Sequence, residues 1–208
     1  MTQQPQVKYR HDYKSPDYTI TDINLDFALD AQKTTVTAIS LIKRQTADVT
    51  PLILDGEALT LVSLSVDGQP WPHYQLQDNS LVIEQLPAHF TLTIVNDIHP
   101  ATNSALEGLY LSGEALCTQC EAEGFRHITY YLDRPDVLAR FTTRIVADKA
   151  LYPYLLSNGN RVGQGVLDDG RHWVKWEDPF PKPCYLFALV AGDFDLSPFL
   201  LLPEHILS

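Results

Sequence analysis

Apolar and polar residues alternate with a period of two along much of this chain. A first alternating segment, in which polar residues such as Asn24 and Asp26 separate the apolar ones, has the pattern of a half-buried β-strand. A turn-forming segment at 30–33 leads to residues 35–42, which are rich in β-branched side chains. The two segments together predict a β-hairpin. The apolar members of the first segment are Ile23, Leu25, Phe27 and Leu29.

The same rhythm continues to the end of the chain. Short segments of strand-forming residues are separated about every ten residues by turn signals such as Asp55-Gly56, Asp67-Gly68 and Asp169-Gly170. No long stretch has the 3.6-residue period of an amphipathic helix. Residues 135–140, which begin with proline, have room for one helical turn. The pattern therefore predicts an all-β fold, and we expect the short Gly163-Gln164-Gly165 segment to form a turn between strands.

Length and charge restrict the kind of protein. The 208 residues suit one domain, with a polar, proline-containing extended arm at 1–16 followed by a β-domain at 17–195. With 15 basic and 26 acidic residues, the net charge is −11, so the chain lacks the basic surface that nucleic acids and anionic membranes attract. No apolar run approaches the roughly 20 residues that span a bilayer, and the first residues do not resemble a secretory signal. We therefore expect no nucleic-acid or membrane partner and a cytoplasmic location.

The three cysteines do not form a complete disulfide framework, because their number is odd. Cys117 and Cys120 have the spacing of half a zinc ribbon or of a redox pair. A zinc site would need two more ligands, such as Cys184 and a histidine brought close by the fold. A redox pair would need a βαβ unit, which the pattern does not contain. We interpret the cysteines as reduced and mostly buried thiols.

The polar segment 117–127 stands out because it lies between an apolar and an aromatic run. If it is extended, Gln119 and Glu121 project to one face and Cys120 projects to the other. A carboxylate beside an amide carbonyl oxygen is well suited to bind a primary ammonium group. From these residues alone, the alternative is a solvated strand edge whose polar side chains deter sheet pairing.

No catalytic motif is present in the sequence. It contains no His-Glu-x-x-His, no Gly-x-Ser-x-Gly and no phosphate-binding loop, and its seven histidines lack ligand spacing. We therefore predict no catalytic residue and no metal site in this chain.

Several separated motifs, in order, resemble the amino-terminal domain of bacterial zinc aminopeptidases of the aminopeptidase N family. The likeness extends from about Lys8 to Asp195 and is carried by residues 117–136, 157–160, 176–183 and 185–194. The resemblance implies a curved, mostly antiparallel multi-sheet β-sandwich with a saddle-like shape. The family's catalytic domain is absent from this sequence, and residues 196–208 form an atypical tail that departs from the family's continuation.

The resemblance also implies roles for particular residues. Glu121 would anchor the α-ammonium group of a peptide, and Gln119 would line the same end of the pocket. Peptide amino termini and the missing catalytic domain would be the partners, and zinc would be bound by that domain and not by this chain. The parent protein would be a zinc-dependent aminopeptidase, and the chain alone would be inactive.

A second hypothesis is a stand-alone β-sandwich module that binds peptides or proteins without catalysis. The two hypotheses predict different surfaces. A domain separated from its partner exposes a contiguous apolar or mixed surface, whereas a self-contained module is polar on all sides.

Overall fold

Strands dominate residues 10–195, the part of the chain that the computed structural model describes. Fifteen strands and four 3-10 helices are found there. The strands are β1 (Tyr18–Ala28), β2 (Thr34–Arg44), β3 (Leu52–Asp55), β4 (Thr60–Val66), β5 (Gln69–Pro70), β6 (Tyr74–Gln77), β7 (Ser80–Ile83), β8 (His89–Ile98), β9 (Gly108–Ser112), β10 (Ala115–Gln119), β11 (Ala139–Asp148), β12 (Tyr154–Ser157), β13 (Asn160–Val166), β14 (Arg171–Lys182) and β15 (Leu189–Gly192). The 3-10 helices are η1 (Arg10–Asp12), η2 (Pro100–Thr102), η3 (Phe125–His127) and η4 (Cys184–Leu186).

These strands form three sheets. The largest has eight strands in the order β13-β14-β11-β1-β2-β8-β4-β5. A four-stranded sheet has the order β12-β15-β10-β9, and a three-stranded sheet has the order β3-β7-β6. Among the paired strands of residues 10–195, β1 and β11 run parallel and the other pairs run antiparallel. The predicted all-β fold of several mostly antiparallel sheets is confirmed.

The predicted hairpin is formed by β1 and β2. The two strands pair antiparallel, with Ile23 opposite Ser40. The connecting turn is fixed by Asp30, whose Oδ1 accepts the backbone N–H groups of Gln32 at 2.7 Å and Lys33 at 3.2 Å. This short side-chain-to-backbone bonding is the reason that aspartate marks the start of a turn.

Aromatic rings fill the core beneath the end of β10. Phe125, in η3, lies 4.9 Å from Tyr131, 5.9 Å from Phe141 and 5.5 Å from Phe187, measured between ring centroids. The three contacts are edge-to-face, which is a favoured arrangement of aromatic pairs. The loop that follows β10 is therefore attached directly to the hydrophobic core.

Two local predictions differ from the structure. Gly163 and Gly165 lie inside β13 and not in a turn, because they make room for a neighbouring ring: a Cβ atom on Gly165 would lie 2.6 Å from Nε1 of Trp173. Residues 135–140 form no helix, since a turn at Pro135 and Asp136 is followed by β11 from Ala139.

The ends of the chain are described only in part. In the predicted arm, residues 10–12 form the 3-10 helix η1 where extended backbone is predicted. Tyr13 donates a hydrogen bond to Asp136 at 3.0 Å, and Arg134 donates one to the Lys14 carbonyl at 2.8 Å. Residues 1–9 and the predicted tail at 196–208 lie outside the described residues, so the domain boundaries stay a prediction. None of the helices in residues 10–195 is long and apolar enough to cross a membrane.

The position of Phe125 leads to a prediction about stability. Phe125→Ala removes a ring that is 0% exposed, so we expect the free energy of unfolding to fall by about 3–5 kcal/mol. Phe180, which is 75% exposed, is the matched control. Phe180→Ala should change the free energy of unfolding by no more than about 0.5 kcal/mol. Urea unfolding followed by tryptophan fluorescence measures both variants. Equal midpoints for the two would contradict this view of the core.

Candidate functional site

Gln119 and Glu121 meet at the end of β10. The strand ends at Gln119, and Glu121 begins a turn over residues 121–124 that leads into η3. The side-chain amide of Gln119 donates a hydrogen bond to the main-chain oxygen of Glu121 at 3.1 Å. Both residues are exposed, and Cys120 between them is buried. The extended backbone expected through Glu121 is wrong, but the two residues lie side by side.

The turn closes because two glycines allow very close packing. The Gly124 N–H donates to the Cys120 carbonyl at 2.9 Å, and a Cβ atom on Gly124 would lie 2.3 Å from the Gln119 carbonyl oxygen. Gly108, on the neighbouring β9, has a φ of +68°, and a Cβ there would lie 2.6 Å from Cβ of His127. Any larger residue at either position would push the turn away from the sheet.

The turn is followed by an ion-pair cluster centred on Arg126, in which the Asp133 side chain is buried and the other carboxylates are partly exposed. Its Nε donates to Oδ2 of Asp133 at 3.0 Å, and its Nη1 lies 3.7 Å from Glu57 and 3.6 Å from Glu123. Its Nη2 lies 4.0 Å from Oδ2 of Asp55. Burial acts to lower the pKa of Arg126, but the bond to Asp133 and the surrounding carboxylates outweigh it and raise the pKa. Arg126 therefore stays charged.

Asp55 and His127 belong to the same cluster. Burial raises the pKa of Asp55 above its usual range, although Arg126 opposes the shift. His127 lies 3.1 Å from Glu107 and 3.7 Å from Glu57, measured from Nε2. Both basic side chains of η3, Arg126 and His127, therefore contact carboxylates of other segments.

The Glu121 carboxylate is different, because it lies outside this cluster. Within residues 10–195 it forms no ion pair and accepts no side-chain hydrogen bond, and it is exposed to solvent. An exposed carboxylate on a fixed turn is available to a cationic ligand.

An apolar row of side chains lies beside Gln119 on the outer face of the four-stranded sheet. The strand register places Leu156, Val190, Cys117 and Tyr110 in one line across it. Leu156 is 42% exposed and the other three are half-buried, whereas Leu116 and Ala191 on the inner face are fully buried. We call this line the apolar row. Gln119 projects from the same face as Cys117, so the row reaches the candidate site.

Comparison with known proteins gives the family. Residues 14–186 match the profile described as the peptidase M1 N-terminal domain. The chain belongs to this family. The predicted resemblance to the amino-terminal domain of aminopeptidase N enzymes is therefore confirmed.

Relatives of this M1 domain are longer proteins. It is 69% identical over 196 residues to aminopeptidase N of Escherichia coli, covering 94% of this chain and 22% of that protein. It is 58% identical over 193 residues to aminopeptidase N of Haemophilus influenzae, covering 91% of this chain and 22% of that protein. The chain thus spans about a fifth of the length of these relatives.

Solved structures agree on the fold. Legionella pneumophila aminopeptidase A, in complex with aspartic acid, superposes with a TM-score of 0.83 at 37% identity, covering 89% of this chain and 22% of that one. An M1 zinc metallopeptidase from Deinococcus radiodurans superposes with a TM-score of 0.74 at 15% identity, covering 85% of this chain and 42% of that one. At that identity, the second likeness concerns the fold alone.

The three thiols of the M1 domain are unpaired. Burial raises the pKa of Cys120 to about 12, and it also raises the pKa values of Cys184 and of half-buried Cys117. Within residues 10–195, no three histidine, cysteine or acidic side chains are grouped so that they could hold a metal ion. The spacing of Cys117 and Cys120 therefore reflects one outward and one inward side chain at the end of a strand.

Burial and pKa together predict the order in which the thiols react. Only a thiolate attacks a disulfide reagent, so we expect Cys117 to react with Ellman's reagent at pH 8 in the folded domain. Cys120 and Cys184 should react only after unfolding. Cys117→Ser is the control and should remove the reaction of the folded state. A fast native reaction that persists in this variant would contradict the burial of the other two thiols.

Proposed function

We propose that this M1 domain is the non-catalytic amino-terminal domain of a zinc aminopeptidase and that Glu121 binds the α-ammonium group of its peptide substrate. Gln119 lines the same end of the pocket. The observation that carries the proposal is an exposed Glu121 carboxylate without a partner in residues 10–195, on a turn that is held at both ends. Membership of the family supports the reaction class.

A fixed carboxylate explains how a β-domain takes part in peptide hydrolysis. An enzyme that removes one residue has to place the first peptide bond, and no other, at its reactive centre. A bound ammonium group fixes that register, because the distance from the amine to the first carbonyl is set by covalent geometry. A blocked amine loses the charge-assisted hydrogen bonds and leaves the carboxylate without a partner.

Zinc belongs, in this proposal, to the catalytic domain. The donor set of the M1 domain itself does not fit the metal: the sequence contains no His-Glu-x-x-His, and residues 10–195 hold no suitable group of ligands. No step of the reaction is assigned to zinc within this chain. A reducing compartment such as the cytoplasm suits the three unpaired thiols.

The catalytic domain is also the partner that best fits the apolar row. The row is continuous with Gln119, so a body that covers it would also lie beside the Glu121 carboxylate and could form a pocket there. The relatives have about four fifths of their length outside the region that this chain matches, enough for such a body. The alternative, a self-contained peptide- or protein-binding module, predicts a polar surface on all sides, and the apolar row speaks against it.

Glu121→Gln tests the proposed anchor in a full-length enzyme. A suitable protein is a chimera in which this domain replaces the matched residues of Escherichia coli aminopeptidase N, assayed with alanine p-nitroanilide. Losing one charge-assisted interaction of about 1.5–3 kcal/mol should lower kcat/KM about 10- to 100-fold. Glu123→Gln, which changes an exposed carboxylate of the same turn, should stay within about twofold of the unsubstituted chimera.

Activity of Glu121→Gln equal to that of the unsubstituted chimera would remove Glu121 from its proposed role. The M1 domain without the rest of the chimera should release no p-nitroaniline. Turnover by the domain alone would contradict its non-catalytic assignment.

The reaction rate of the Cys117 thiol tests whether the catalytic domain docks on the apolar row. We expect its reaction with Ellman's reagent to be slower in the chimera than in the M1 domain, because the partner covers the row. Leu156→Asp places a charge in the row and should speed the reaction in the chimera. Leu138→Asp, at an exposed leucine outside the four-stranded sheet, is the control and should leave the rate of the Cys117 reaction unchanged. Equal rates for Cys117 in the domain and in the chimera would contradict docking on this face.

A further inference from the structure

The turn that carries Glu121 contains few interactions of its own. Residues 121–123 are exposed, and the side-chain contacts found for them within residues 10–195 are the Gln119 bond to the Glu121 carbonyl and a Glu123–Arg126 approach of 3.6 Å. The position of the Glu121 carboxylate is therefore set by the two ends of the turn. One end is β10, which is held in the sheet, and the other is Arg126 in η3.

Arg126 is fixed through its backbone and its side chain at once. Its backbone N–H donates to Oδ2 of Asp133 at 3.2 Å, and its Nε donates to the same oxygen at 3.0 Å. Its carbonyl accepts the N–H of Glu57 at 3.0 Å. Its side chain is 15% exposed, so water competes little for these bonds.

Asp133 is the fixed point behind Arg126. Its side chain is 1% exposed, and its second oxygen, Oδ1, accepts the thiol of Cys184 at 3.0 Å. Its own N–H donates to Oδ2 of Asp55 at 3.3 Å. The buried carboxylate of Asp133 thus joins η3 to η4, and the backbone N–H of the same residue adds the strand end at Asp55. In residues 10–195, the only cation that pairs with it is Arg126.

A buried ion pair is weak evidence for stability, because removing two charges from water costs about as much as their attraction returns. Its best-supported use is to select one arrangement among several. Three other carboxylates surround Arg126, and one of them, Glu123, belongs to the turn itself. Without the charge on Asp133, the guanidinium would shift towards these carboxylates and take the turn with it.

We infer that Asp133 is a positioning residue that acts through Arg126 to place the Glu121 carboxylate for the substrate amine. The inference rests on the proposed function of Glu121. The inference predicts that the effects of the two residues are coupled. A change at Asp133 should weaken recognition of the amine when Glu121 is present, because it displaces the Glu121 carboxylate, and should have little effect when Glu121 has been replaced. A purely structural role would give the same loss with or without Glu121.

A double-mutant cycle in the chimera separates these cases. Inhibition constants are measured for leucine hydroxamate and for isocaproyl hydroxamate, which differs only in lacking the α-amine. The ratio of the two constants is the amine preference. Asp133→Asn, which keeps the shape and removes the charge, should lower this preference about tenfold with Glu121 and by less than about twofold in the Glu121→Gln background.

Asp136→Asn is the matched control. It disrupts a more exposed Arg–Asp pair, 2.7 Å between Nη2 of Arg134 and Oδ2 of Asp136, that does not touch residues 121–126, so the amine preference should not change. If Asp133→Asn does not fold, Arg126→Lys carries the same cycle, because it keeps the charge but loses the Nε bond to Asp133.

The outcomes separate the two claims. The positioning role would be overturned by equal losses of amine preference in both backgrounds. It would also be overturned if Glu121→Gln lowered the amine preference and the Asp133 and Arg126 variants did not. Either outcome would leave the anchor intact. No loss from Glu121→Gln would overturn the anchor, and the positioning role with it.

Discussion

The buried carboxylate of Asp133 is the contact on which the candidate site depends. It accepts two hydrogen bonds from Arg126 and one from Cys184, and the same segment is tied to Asp55 through its N–H. These bonds hold η3 against the rest of the molecule. A charge with so little access to water is tolerable only because a guanidinium and a thiol satisfy it. The position of the exposed turn is therefore set by the buried contacts of Asp133 beneath it.

Two kinds of support keep the turn in place. Hydrophobic packing acts through Phe125, whose ring is buried among Tyr131, Phe141 and Phe187 one residue before Arg126. Close backbone contact acts through Gly124, which rests on the end of β10. With both ends held, the exposed Glu121 needs no partner within the domain. In the proposed function, this leaves its carboxylate free for the substrate amine, with the apolar row next to it for the catalytic domain.

The sequence predicts the parts of this fold that local patterns control. Alternation between residues 23 and 29 and the aspartate at position 30 are enough to predict the β1–β2 hairpin. The glycines of β13 are predicted wrongly, because their reason is a tryptophan ring on the neighbouring strand and not a turn. The sequence also predicts that the strand continues through Glu121, because no pattern in it shows that Gly124 turns back onto Gln119.

The long-range members of the cluster around Arg126 have no local signal in the sequence. Asp55 and Asp133 are 78 positions apart and meet because Asp55 pairs with Tyr131 in an isolated β-bridge. Acidic residues that far apart look like ordinary surface charges in the sequence. Gln119 and Glu121 can be identified from the sequence, because they are close together and lie in a segment that resembles a known family. The residues that hold them can be found only when the chain is folded.

The most direct measurement of the central claim is the position of a bound amine. A crystal structure of the full-length chimera with leucine hydroxamate would show which groups contact its α-ammonium nitrogen. We expect a carboxylate oxygen of Glu121 within about 3.2 Å of that nitrogen, the range of a hydrogen bond. An amine that contacts only the catalytic domain or water, with Glu121 directed elsewhere, would contradict the account.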